Sequence, residues 1–223
     1  MPGYDRPDYW TLRAKKEGYP ARSVYKLEEI MRKFGLLKVL DGRTTEGGPD
    51  QIARLTRPGP SILDVGAAPG SWSLWLLRQM KGAGRLVAVD IQDLGIAPRD
   101  ANFSFLKGNI LDDAVRAALR DAGPFQLIVS DAAPATSGNR LVDQARSEEL
   151  VEAVMGLAPE VLAPGSALIM KIFQGGEERR LLLELRAHFA QARTFKPEAC
   201  RSESFETYLV ATGFARRDKQ DSP

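Results

Sequence analysis

The sequence predicts an α/β protein: an open, doubly wound, mostly parallel sheet of seven strands with helices on both faces. Three observations predict it. Ser61 to Val65 is a mostly apolar run of strand length, and a tight turn of small residues separates it from Trp72 to Met80, an apolar run of helix length. Strand-like and helix-like runs then alternate along the chain, as in βαβ units. One of them, Phe125 to Ser130, is apolar almost throughout, like a parallel strand covered on both faces.

The chain of 223 residues, 43% hydrophobic, is long enough to bury one good core. The expected organisation is a basic helical extension over residues 1–43, a connector over 44–60, a core over 61–214 and a frayed tail over 215–223. No run of about 18 apolar residues is present to span a membrane. MPGYDRPDYW lacks the pattern of a signal peptide. The lone Cys200 excludes an internal disulfide and fits a reducing, cytoplasmic setting. One Cys and one His (His188) are too few soft ligands for a structural zinc site, so no metal is expected.

Each element has a local reason. Ala21 to Phe34 reads as a helix, with Val24, Leu27, Met31 and Phe34 on one face and Arg22, Lys26 and Lys33 on another. Gly35, Asp41-Gly42, Gly47-Gly48-Pro49 and Pro58-Gly59-Pro60 punctuate a connector. Within it, Asp50 to Leu55 is expected to add a helical turn or two, and Thr44 to Pro49 an exposed loop. Arg85 to Ile91 is the second strand, ending at Asp90. Asn102 to Gly108 is the third, leading to Asn109. Asp112-Asp113 open a helix to about Ala122. A long helix, roughly Leu141 to Leu162, is capped by Pro164-Gly165. Ser166 to Phe173 is the fifth strand, Glu177 to Ala190 a helix, and Arg193 to Phe195 and Thr207 to Phe214 the last two strands.

The turn after the first strand is the chemical centre. In DVGAAPGSW, Gly66 and Gly70 allow positive φ and close approach, and the next helix offers unpaired N–H groups at its start. Asp64 at the strand end aims a carboxylate at the same crevice. The dinucleotide fingerprint GxGxxG fails because Ala68 stands where its second glycine belongs, and no Lys follows Gly70 as a phosphate loop requires. A loop without a cation suits a ligand without phosphates, such as S-adenosylmethionine. Asp90, twenty residues beyond Gly70, is placed to accept from ribose hydroxyls. It does not separate NAD from S-adenosylmethionine, and it would serve equally as a turn or N-cap aspartate.

Charge is uneven: residues 1–43 carry a net +4, the remainder −2. Tyr4, Tyr9, Trp10, Tyr19 and Tyr25 lie among the basic residues, a composition that suits RNA and equally an ordinary solvated helix. Asp131, Lys171 and Glu206 are charged residues in strand-end contexts. Lys171 interrupts the apolar run Ala167 to Phe173, and a buried ammonium is costly unless paired. The segment after the fourth strand, Asp131-Ala-Ala-Pro134, has no aromatic to stack a flipped base, and no cysteine stands there for a thiolate mechanism. An alcohol nucleophile with a lysine base fits better.

Five motifs together resemble the FtsJ/RrmJ (RlmE) family of ribosomal-RNA ribose 2′-O-methyltransferases, a Rossmann-like fold dependent on S-adenosylmethionine. They are Arg22-Ser-Val-Tyr-Lys26-Leu-Glu-Glu-Ile30, Asp64 to Ser73, Ser130 to Pro134 with Ser137-Gly138, Lys171-Ile-Phe-Gln-Gly175, and Lys196-Pro197 through Arg201-Ser202 to Tyr208. The resemblance runs from about Ala21 to Gly213. It implies a catalytic set of Lys26, Asp131, Lys171 and Glu206, in which Lys171 deprotonates or steers the ribose hydroxyl and Lys26 and Glu206 orient the nucleotide. It implies cofactor contacts from Gly70, Trp72, Asp90, Asn109 and Asp131, beside Asp64, Gly66 and Pro69 of the turn. The implied partner is large-subunit ribosomal RNA or the subunit itself, and the implied target a uridine; a monomer is expected. A transfer-RNA anticodon-loop methyltransferase and a non-catalytic ribosome assembly factor are the alternatives. Two departures stand out: Asn109 replaces an acid, and residues 39–60 are longer than the usual link.

Overall fold

The computed structural model describes residues 8–41, 59–134, 137–175, 177–201 and 204–215. The expectations for 44–58 and for the tail beyond 215 lie outside the described residues. Seven strands form one sheet: β1 (Ser61–Val65), β2 (Arg85–Asp90), β3 (Phe103–Lys107), β4 (Phe125–Ser130), β5 (Leu162–Phe173), β6 (Phe189–Phe195) and β7 (Glu206–Phe214). Their order is β3-β2-β1-β4-β5-β7-β6, and only β7 runs antiparallel to its neighbours. The order reverses between β1 and β4, the point where open α/β sheets bind ligands.

Seven helices accompany the sheet among the described residues: α1 (Tyr9–Glu17), α2 (Val24–Lys33), α3 (Leu37–Leu40), α4 (Ser71–Met80), α5 (Asp113–Ala122), α6 (Arg140–Val161) and α7 (Glu178–His188). None is long and apolar enough to cross a membrane. Alternation along the strands divides the core in two. Leu63, Val87, Ile128, Met170 and Leu209 pack under α5, α6 and α7, while Ile62, Leu86, Val129, Ile169 and Val210 face α2, α3 and α4. The stretch expected as an added extension therefore shares a core with the sheet: Val24, Leu27, Ile30 and Met31 of α2 are fully buried there.

Three expectations are corrected. The helix expected from Ala21 begins at Val24, because the backbone before it is engaged elsewhere. Ala21 N–H donates to Ser71 Oγ at 2.7 Å, and the Trp72 indole N–H to the Ser23 carbonyl at 2.8 Å. Pro164-Gly165 does not cap a helix. α6 stops at Val161, the chain turns extended at Leu162, and Pro164-Gly165 lies in a bulge of β5 that shifts its register against β4; Ser166 Oγ bridges back to the Phe125 carbonyl at 3.0 Å. β6 starts at Phe189, four residues earlier than expected, where the Phe189 ring packs at a tilt against Phe214 of β7. The short α3 was not anticipated within the connector; Val39 and Leu40 bury it against the core.

Candidate active site

The site follows from strand parity. Asp64 continues the Ile62 side of β1, Asp131 the Leu127 and Val129 side of β4, and Lys171 the Ala167 and Ile169 side of β5. Lys171 pairs across the ladder with Tyr208, and Phe173 with Glu206. All five polar groups thus emerge at one end of the sheet, on the face covered by α2 and α4. A slip of one residue in any strand would turn its member away.

α2 brings the remaining residue. Besides the contacts of Ala21 and Ser23, Arg22 Nη2 donates to the Ala199 carbonyl at 2.5 Å and pairs with Asp8. Glu198 N–H donates to Glu29 at 2.8 Å. So anchored, α2 turns Lys26 onto Glu206, Nζ to Oε1 2.6 Å. Lys171 Nζ lies 2.9 Å from Asp131 Oδ1 and donates to the Asp131 carbonyl at 2.5 Å. Lys26, Lys171 and Glu206 are each only 9% exposed, so each charge is matched where an unmatched one would be costly.

Tyr208 was quoted as part of a motif but had no role read from the sequence. It is fully buried, and its hydroxyl donates to Asp131 Oδ1 at 2.8 Å. Burial works against ionisation of Asp131, but Lys171, Lys26 and the Tyr208 hydroxyl outweigh it and hold the carboxyl below the usual range. The signal available in sequence was register: a tyrosine two residues after Glu206 must share its face.

The turn after β1 is shaped by packing. Gly66 has φ +72°, and a Cβ there would lie 2.5 Å from Ala132 Cα, so this glycine admits the chain leaving β4. Gly70, at φ +107°, admits Ile96 in the same way. Asp90 ties the turn down: its two oxygens accept from Ala68 N–H and Gln92 N–H, both at 2.8 Å. Pro69 accepts from Gly95 N–H at 3.0 Å. Trp72 is 2% exposed, tilted against Tyr208 with its indole N–H spent on Ser23. Asn109 Oδ1 accepts from Leu111 N–H at 3.0 Å, which leaves the amide N–H2 and one lone pair for a ligand.

Asp64 is buried outright. Ser73 Oγ donates to its Oδ2 at 2.6 Å, while Oδ1 has no hydrogen-bond partner among the described residues. Desolvation, with the charges of Asp131 and Asp90 nearby, pushes its carboxyl up to about 7. Such a group favours the fold when protonated. Its contribution is complete below pH about 4 and is lost as pH rises to about 7. Asp64→Asn, which cannot ionise, should therefore gain on the ligand-free parent by up to about 4 kcal/mol across that window, most of it between pH 5 and 7. Denaturant unfolding at pH 5 and pH 8 checks this; an unchanged difference would show that Asp64 stays charged.

A matching family model, that of FtsJ-like methyltransferases, covers residues 19–214. The chain is 44% identical to a ribosomal RNA large subunit methyltransferase E of Treponema denticola over 95% of this chain and 96% of that one. The chain belongs to the FtsJ-like methyltransferase family. A Borrelia duttonii protein with the same description is 41% identical over 96% and 99%. A solved ribosomal RNA methyltransferase of Plasmodium falciparum superposes with a TM-score of 0.67 at 26% identity, over 88% of this chain and 98% of that one. The human methyltransferase-like protein 13, solved with S-adenosylhomocysteine, shares the fold at a TM-score of 0.52 and 16% identity.

S-adenosylmethionine is accordingly the cofactor, and the FtsJ-like crevice fits it. The turn from Gly66 to Ser71 contains no Lys or Arg. Asp131 and Asp90 both lie close enough to Asp64 for their charges to help raise its carboxyl. Three carboxyls around a cation-free turn suit a ligand that carries an ammonium and a sulfonium and no phosphate.

Proposed function

We propose that this FtsJ-like methyltransferase methylates a ribose 2′-hydroxyl of large-subunit ribosomal RNA, at a uridine, in the cytoplasm. The observation that carries the reading is the pairing of Lys171 with Asp131 and of Lys26 with Glu206 at one sheet end beside the cofactor crevice. The relatives described as ribosomal RNA large subunit methyltransferase E support the substrate. S-adenosylmethionine supplies an electrophilic methyl on sulfur; the protein has to align a hydroxyl with it and take up the hydroxyl's proton.

In this reading Lys171, entering the step as the neutral amine, takes the proton as the oxygen attacks and becomes the ammonium that Asp131 pairs. Asp131, fixed by Tyr208 and Lys171 together, sets the direction of the Lys171 amine. Lys26 and Glu206 hold the nucleotide from the opposite wall. Asn109 and Asp90 serve the adenosine end of the cofactor, and the first 43 residues contribute phosphate contacts through their positive charge, which makes RNA binding weaken with salt. Asp64, Gly66, Pro69, Gly70 and Trp72 build the turn on which the cofactor rests.

The substrate is tested by methyl transfer from labelled S-adenosylmethionine to unmodified large subunits, free ribosomal RNA and unmodified transfer RNA. Label on ribosomal RNA is expected; label on transfer RNA alone would replace the substrate. Tyr208→Phe tests the fixing of Asp131. Losing a hydrogen bond to a charged group should loosen the carboxylate that aims Lys171 and lower kcat by roughly ten-fold, with both KM values within about two-fold. An unchanged kcat would leave Tyr208 a packing residue.

A further inference from the structure

Phe205 immediately precedes Glu206, yet it is 49% exposed in a molecule that buries most of its large apolar side chains. Glu206 faces α2, and the strand alternates, so Phe205 lies across the strand ends from Lys26. Its carbonyl accepts from Gln174 N–H at 2.7 Å, which ties its backbone to the end of β5. Arg140, the first residue of α6, lays its guanidinium over the ring, 4.0 Å from the centroid. Arg13, Arg116, Arg120 and Arg180 all pair with carboxylates, whereas Arg140 forms no ion pair among the described residues. Beside it opens a cleft of ≈ 620 Å³ lined by Arg140, Leu141, Gln144, Gln174, Gly175 and Glu178.

An exposed ring carrying a guanidinium that forms no ion pair among the described residues offers two flat π-surfaces and a positive charge at the rim of the site. That combination recognises a nucleobase on a phosphate backbone, through stacking and cation–π attraction. We propose that Phe205 and Arg140 form a stacking platform for a base adjacent to the target nucleotide. The proposal rests on the reading of the substrate as RNA. Both residues act by positioning: neither touches the Lys171–Asp131 pair, and the platform holds the strand on the far side of the sheet ends while Lys26 and Glu206 hold the target ribose on the near side.

The test is steady-state kinetics with whichever RNA the wild-type protein methylates. Phe205→Ala should raise KM for RNA by roughly five- to a hundred-fold, the loss of one base stack, with kcat within about two-fold. KM for S-adenosylmethionine and the melting temperature should not change, since the side chain is exposed. Arg140→Ala should act in the same direction, and Phe205→Trp should restore the wild-type KM. RNA methylation by the wild type with an unchanged KM for Phe205→Ala would overturn the platform. So would a loss confined to kcat, or a failure of Phe205→Trp to rescue. No methylation of any RNA by the wild type would instead overturn the functional reading beneath it, and the platform with it.

Discussion

Lys171→Met should lower methyl transfer by at least about 10²- to 10⁴-fold, the range a positioned base contributes, while affinity for S-adenosylmethionine stays within about three-fold. Methionine fills the space of the lysine stem in an apolar strand, so the sheet should tolerate it. The Tyr208 hydroxyl still donates to Asp131, and Lys26 still contributes its charge there, so Asp131 is not left wholly uncompensated. Lys171→Arg makes the experiment sharper. Arginine keeps the positive charge and can pair with Asp131, but it does not give up its proton. If Lys171 takes the proton, the arginine variant is as inactive as the methionine variant. If Lys171 only steers the substrate by charge, arginine retains a substantial rate, and the base assignment falls. Calorimetric titration with the cofactor separates loss of chemistry from loss of binding.

Gly66→Ala should destabilise the protein by about 3 kcal/mol and lower its melting temperature by roughly 6–12 °C for a chain of this size. Two costs add. The residue has φ +72°, where an L side chain is strained, and its Cβ would lie 2.5 Å from the backbone of Ala132, which has no flexible end to move aside. Ala132 follows Asp131, so the strain is delivered to the Asp131 carboxyl, and activity should fall in the variant molecules that remain folded. Gly35→Ala is the internal control. Gly35 has φ +63° with no atom of the described residues within 4 Å of the added Cβ, so only the conformational strain applies and the loss should be about 1 kcal/mol. Equal melting temperatures for the two variants would show that the turn after β1 opens to accommodate a methyl group.

Much of this fold was legible because it depends on local patterns. β4 was bounded correctly from its apolar run alone, and α4 to within one residue from the run after a glycine turn. Failures fell where tertiary contacts override local preference. Nothing local says that Ala21 and Ser23 will be held by Ser71 and Trp72, so the start of α2 was placed too early. Pro164-Gly165 reads as a helix stop, and the bulge that absorbs it becomes visible only once β4 is the neighbour. The site was legible for a different reason. Lys171 announces itself as a cation in an apolar strand, whereas Tyr208 looks like ordinary core until its hydroxyl is seen against Asp131. Gly66 and Gly70 were read as openings for a ligand, and the structure shows that they first admit Ala132 and Ile96.

The most direct measurement is the position of the transferred methyl. RNA labelled by the protein from methyl-labelled S-adenosylmethionine is digested with alkali, which cleaves each phosphodiester through the neighbouring 2′-oxygen. A methyl on that oxygen blocks the cleavage. The account predicts that all label appears in an alkali-resistant dinucleotide, and that none appears with Lys171→Met. Label in mononucleotides would place the methyl on a base and contradict the hydroxyl chemistry assigned to Lys171, Asp131, Lys26 and Glu206.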